Sequence, residues 1–209
     1  MVRRVPVQQR SVESMNRMLD AGEQLFYEGG SPALTLERVI ERADTSTGSF
    51  YARFGDMHGF LSAMHERVLQ TVGAQVSPVL AQAALEPDLE SAMRKAFTGF
   101  FEVIERHKVP LYFFAIGNSH NREWREMGDR FLVDVNGIFI QLMKSHLPTF
   151  TSAAAKRRIE MASRMSIAAV FQQILHEQEE ISSVNLSTRF VATQYADMAC
   201  VYLRATPSK

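Results

Sequence analysis

The chain has 209 residues, 46% of them hydrophobic, with 23 basic against 23 acidic side chains and one cysteine. That length gives a core to one large or two small domains, and the balanced charge argues neither for nor against a nucleic-acid partner. The single Cys200 excludes an intrachain disulfide framework, and no run reaches the roughly 18 consecutive apolar residues of a membrane span.

The N-terminus carries Arg3, Arg4, Arg10 and Arg17 against only Glu13 in its first stretch. It has no apolar run of the secretory type. Residues 1–10 therefore read as a flexible basic arm. Such arms reach phosphate or the minor groove, with an ordinary solvated tail as the equal alternative. Met15, Met18, Leu19, Gly22, Leu25 and Phe26 form a helical stripe, stopped by Gly29-Gly30-Ser31-Pro32.

The run TLERVIERADTSTGSFYARFGDMHGFL, from Thr35 to Leu61, is the most informative. Thr35 suits an N-cap for a helix carrying Leu36, Val39, Ile40 and Ala43, with Glu37 favourable in its first turn. A turn at Asp44-Thr45-Ser46 leads to a second helix from Thr47, with Phe50 and Phe54 facing inward. Two short helices joined by such a turn match a helix-turn-helix, whose second helix enters the DNA major groove. Thr45, Ser46, Thr47, Ser49 and Arg53 are then the candidate DNA contacts, since hydroxyls bond bases or phosphates and a Thr methyl packs on thymine. Gly48 would allow a close backbone approach. Ordinary capping and turn chemistry is the alternative for these polar residues.

Helix 4 begins near Met57 and carries Phe60, Leu61, Met64, Val68, Leu69 and Val72, fading between Gly73 and Pro78. A helix from about Asp88 shows Leu89, Met93, Ala96, Phe97, Phe100, Phe101 and Ile104. Leu111–Ile116 is strand-like by propensity alone but has no partner strand. A long helix spans about Arg122 to His146 and ends at Pro148. The last two helices run from about Ala153 to Glu179 and from Leu186 to Leu203. The first of these is apolar beyond one stripe, so it needs more than one packing partner.

The first quarter to third of the chain resembles the tetracycline-repressor-like (TetR) family of transcriptional regulators. The resemblance rests on Thr35, Val39-Ile40, Ala43-Asp44-Thr45-Ser46, Gly48, Tyr51 and Phe54, with Ala21, Leu25, Phe26 and Gly30 upstream and Gly55-Asp56 and Gly59-Phe60-Leu61 downstream. Departures are Ser31 for an aromatic, Asp44 for the turn glycine, Thr45 for a valine and Met57 for a phosphate-touching lysine. Asp tolerates the left-handed conformation, so the turn survives. Losing the lysine weakens generic DNA affinity rather than sequence reading.

The resemblance implies an all-α fold. An N-terminal three-helix DNA-binding domain over 1–56 precedes a larger helical ligand-binding and dimerisation domain over 57–209. It makes Leu111–Ile116 helical, sets the Tyr51 hydroxyl on a phosphate and offers the backbone amides after Thr35 to another. It pairs the last two helices with a second subunit, so that a homodimer reads a near-palindromic double-stranded operator through helices about 34–36 Å apart. Eight of the 14 phenylalanines lie between Phe97 and Phe150. With the family architecture they point to a pocket for an apolar or aromatic effector. Its candidate lining is Phe97, Phe101, Phe114, Trp124, Phe139, Met143 and Phe171, with Asn118, His120 and Gln173 as polar handles; a plain aromatic core is the alternative.

Enzymatic motifs are missing. The histidines at 58, 65, 107, 120, 146 and 176 form no H-E-x-x-H pair. His58 and His65 share a helix face, but as exposed or satisfied residues rather than zinc ligands. Asp129 and Asp134 make no acid/base pair, and there is no nucleophile elbow, phosphate loop or dinucleotide fingerprint. No catalysis, metal or cofactor is expected. The resulting expectation is a cytoplasmic, ligand-responsive repressor. The alternative is a helical ligand-binding or interaction protein of the same fold that no longer reads DNA.

Overall fold

The computed structural model describes residues 7–175, 184 and 186–205. It is helical, with no strand among the described residues. The chain divides into two compact units, Met1–Val68 and Leu69–Lys209.

The first unit holds α1 (Val7–Gly29), a single 3-10 turn, α2 (Leu36–Arg42), α3 (Thr47–Phe54) and the opening turns of α4 (Met57–Ala83). The last four residues of the segment read as an arm thus belong to α1, while Arg3 and Arg4 lie outside the described residues. Met18, Leu25, Phe26, Val39, Phe50, Phe60 and Met64 are its buried core. Phe50, Phe54 and Phe60 pack ring to ring with centroids 5.0–5.2 Å apart. Gly22 is required where α1 meets α4: a Cβ there would lie 2.5 Å from the Phe60 ring. Each short helix is capped from within. Thr35 Oγ1 accepts from Arg38 N at 3.4 Å and Ser46 Oγ from Ser49 N at 3.1 Å. Asp56 Oδ1 likewise accepts from Gly59 N at 2.8 Å. Such caps satisfy amides that the helix itself cannot. Asp44 takes φ 46, the left-handed geometry read from sequence, and the turn closes through Thr45 N donating to Ile40 O at 3.0 Å.

The second unit holds the rest of α4, α5 (Leu89–Arg106), α6 (Lys108–Tyr112), α7 (Arg122–His146), α8 (Ala153–Leu175) and α9 (Thr188–Arg204). Asp88, Asn121 and Ser187 cap α5, α7 and α9. Packing is heaviest between α5 and α9, and α8 touches α5, α7 and α9.

One expectation changes and another is refined. First, α4 does not fade at Gly73–Pro78 but runs through Pro78 to Ala83. Val72, Val76, Leu80 and Ala83 are wholly buried along one stripe, whereas Ala74 and Pro78 are exposed. The carbonyl that Pro78 leaves without a helical donor therefore belongs to an exposed residue, where water can serve it. Second, the aromatic run after Leu111 is helical in two pieces, α6 and a π-helical turn over Phe113–Gly117. Asn118 Nδ2 donates to Phe113 O at 2.9 Å.

Candidate nucleic-acid interface

The face of α3 is set by its own eight residues. Phe50 is buried and Phe54 half-buried; Thr47, Gly48, Tyr51 and Ala52 are exposed. These four fall at i, i+1, i+4 and i+5, which is one side of a helix. Tyr51 is 49% exposed, its ring edge-on to Phe50 at 5.8 Å.

Several polar candidates have structural duties. Thr35 and Ser46 are the caps of α2 and α3, and Ser46 Oγ also donates to Ser49 Oγ at 3.0 Å. Thr45 is half-buried in the turn. Arg53 is anchored: its Nε donates to Ser11 O of α1 at 3.2 Å and its NH1 to Ser49 O at 2.9 Å. Both acceptors are neutral, so the guanidinium keeps its whole charge and gains a fixed position, an arrangement suited to phosphate. Sequence reasoning missed the α1 half of this clamp. No local signal could have named Ser11, because the contact spans 42 residues. Arg17 makes a related bond, from Nε to Ala43 O at 3.3 Å, beside the turn.

In the second unit the aromatic candidates form packed rings. Phe97 lies 6.3 Å from Phe101 and 5.9 Å from Phe139, and Phe114 lies 5.2 Å from Trp124. All five are buried, as is Met143; Phe171 is half-buried, Asn118 is tied to Phe113 O, and His120 is exposed. The Gln173 side chain lies outside the described residues.

An apolar cavity of about 90 Å³ lies beside Phe97, walled by Met165, Ser166, Tyr195, Met198 and Tyr202. Of the sequence candidates, only Phe97 lines it. Sequence could not single out the rest, since a methionine or tyrosine on α8 or α9 serves equally as core or surface. A wider groove of about 480 Å³ runs past Arg94, Lys95 and Arg189. There Arg94 pairs with Asp197 at 2.7 Å and Lys95 with Glu86 at 2.6 Å. Among the described residues no three His, Cys, Asp or Glu side chains group as a metal site. No helix among them is long and apolar enough to cross a membrane.

A capped two-helix turn, with an exposed second helix and an anchored arginine beside it, defines the class of helix-turn-helix regulators. Residues 18–64 match the family model of bacterial regulatory proteins, tetR family. The fold is similar to that of a putative TetR-family transcriptional regulator from Mesorhizobium loti MAFF303099, at 15% identity over 93% of this chain and 96% of that one, with a TM-score of 0.70. It is similar also to a transcriptional regulator (TerR/AcrR family) from Aquifex aeolicus VF5, at 20% identity over 90% and 98%, TM-score 0.60. A transcriptional regulator from Rhodococcus sp. Rha1 aligns at 16% identity over 93% and 100%, TM-score 0.64. No curated protein matches the sequence. Residues 18–64 thus match the tetR family of bacterial regulatory proteins, and the all-α architecture of the chain is similar to the fold of solved TetR-family regulators.

Proposed function

We propose that this protein is a ligand-responsive repressor, which holds a near-palindromic operator as a homodimer and releases it when an apolar or aromatic molecule binds the second unit. The observation that carries the reading is the exposed side of α3. Thr47, Gly48, Tyr51 and Ala52 stand clear of the core, while two neutral carbonyls hold the Arg53 guanidinium beside them.

Dimerisation is supported by exposed apolar side chains on the last two helices. Met161, Met165, Phe190, Met198 and Val201 are 47–69% exposed, a concentration that a partner surface would cover. The effector reading is supported by the cavity beside Phe97. At about 90 Å³ it is smaller than the roughly 150 Å³ that holds a benzene. A ligand would therefore have to widen it, which the unbranched Met165 and Met198 side chains in its wall allow at low cost. Release follows only as far as the effector prefers the operator-incompetent state, and α4, one continuous helix, belongs to both units.

Asp44 and Met57 favour a second reading, a protein of this fold that no longer reads DNA. The closed turn around Asp44 weighs against it, and Met57 removes at most one phosphate contact.

The test is fluorescence anisotropy on DNA upstream of the protein's own gene, backed by selection of genomic fragments. Wild type is compared with a Thr47→Ala, Tyr51→Phe double variant. Salt-sensitive binding lost in the double variant, then relieved by an apolar compound, is the expected result. Retention of no fragment above random DNA would sink the repressor reading and favour the second one.

A further inference from the structure

We infer that α3 specifies its half-site through thymine methyl groups received against Thr47, Gly48 and Ala52, rather than through paired hydrogen bonds to guanine or adenine. This rests on the DNA-reading function proposed above and names the base chemistry of that same surface.

The inference comes from what the exposed side of α3 contains. In the major groove, guanine is named by Arg or Lys across O6 and N7, adenine by Asn or Gln across N6 and N7, and cytosine by an acid at N4. The helix, TGSFYARF, holds one such side chain, Arg53, and its Nε and NH1 are bound to the Ser11 and Ser49 carbonyls. Ser49 is half-buried and engaged with Ser46. The residues left are a threonine, a glycine, a tyrosine and an alanine. Thr47 offers one methyl and one hydroxyl, and apolar contact from Thr or Ala methyls suits the thymine C5 methyl. Off the helix, the turn carries Asp44, exposed two residues before the Ser46 cap; the base an acid names is cytosine.

Gly48 supplies a second observation. A Cβ built there meets nothing within 4 Å, and its φ lies outside the left-handed range. Neither packing nor backbone geometry in the fold asks for glycine, although alanine is the better helix former. What a Cβ would obstruct is therefore outside the chain. Gly48 and Ala52 lie one turn apart, so together they leave a shallow surface alongside Thr47 and Tyr51. A protruding methyl can seat there.

Burying one methyl is worth about a fourfold change in affinity. Binding sites are selected from a random duplex library with the full-length chain. Each half-site thymine is then replaced by deoxyuridine, which lacks only the methyl, and each guanine by 7-deazaguanine, which lacks N7. The expected result is a loss of about three- to fivefold for at least one thymine per half-site, with near-neutral 7-deazaguanine. Thr47→Ser, which keeps the hydroxyl and drops the methyl, should lose discrimination between thymine and uracil at one position. Gly48→Ala should unfold no more readily than wild type yet lose specific binding, with binding to random DNA retained.

Neutral deoxyuridine throughout, a dominant 7-deazaguanine effect, or an Asp44→Asn variant that shifts the preferred base would each overturn the inference. If the library enriches no site at all, the DNA-reading proposal falls and takes this inference with it.

Discussion

Arg53 combines two roles that are usually separate. Its fork ties α1 to α3 through Ser11 O and Ser49 O, and its charge stays available to phosphate. Arg53→Lys keeps the charge but cannot reproduce two fixed bonds, so it should lower stability more than it alters salt dependence. Arg53→Ala should flatten the plot of log K against log salt by about 0.9 for each phosphate it neutralised; an unchanged slope would mean that this charge touches no phosphate. His65 offers a test of pH dependence. It is 3% exposed, and burial pushes its pKa down from 6.5 to about 4. The unfolded chain therefore takes up this proton before the folded chain does. This contribution is complete well above pH 6.5 and declines as pH falls through 6.5 toward 4, by roughly 1 kcal/mol at pH 5.5. His107, lowered first by burial and then by Arg106, adds in the same direction. Thermal midpoints between pH 8 and 5 check this, and a His65→Phe variant that folds should show a shallower decline.

The helices differ in how openly the sequence declares them. The cap at Thr35, the helix start near Asp88 and the stop at Gly29-Gly30 are local chemistry, and they could be read directly. So could the inward side of α3, because Phe50 and Phe54 sit one turn apart. The course of α4 past Pro78 could not. Proline signals a break locally, and what overrides it is the buried stripe from Val72 to Ala83, whose neighbours come from distant parts of the chain. Pro78→Ala restores an N–H at an exposed position and should raise stability by about 1–3 kcal/mol in urea unfolding. A neutral result would mean that the helix has relaxed fully around the proline. The aromatic region was legible as composition but not as shape. Phenylalanine density was visible in the sequence, whereas the closure of Phe101 and Phe139 onto Phe97 depends on three-dimensional packing.

At the scale of the molecule, the question is how many chains act together. A lone recognition helix makes few contacts, and the proposed dimer supplies the second half-site. Met165→Glu with Met198→Glu puts two charges on the exposed apolar side of α8 and α9 while leaving the buried residues Val170 and Leu203 untouched. Sedimentation of this variant at micromolar concentration should give a single-chain mass, and specific operator binding should fall with it. A wild-type chain that itself sediments at single-chain mass would remove the dimer from the proposal.

Cys200 has a consequence of a different kind. It is the chain's one cysteine; its thiol points at Leu89 O across 3.9 Å, and burial pushes its pKa up to about 11. At pH 8 only about one molecule in a thousand presents a thiolate. Alkylation of the native chain must therefore wait for α9 to part from α5, so the rate of labelling serves as a built-in clock for that opening. Dyes for distance measurement can accordingly be attached to cysteines introduced on the surface, with no native thiol to remove first.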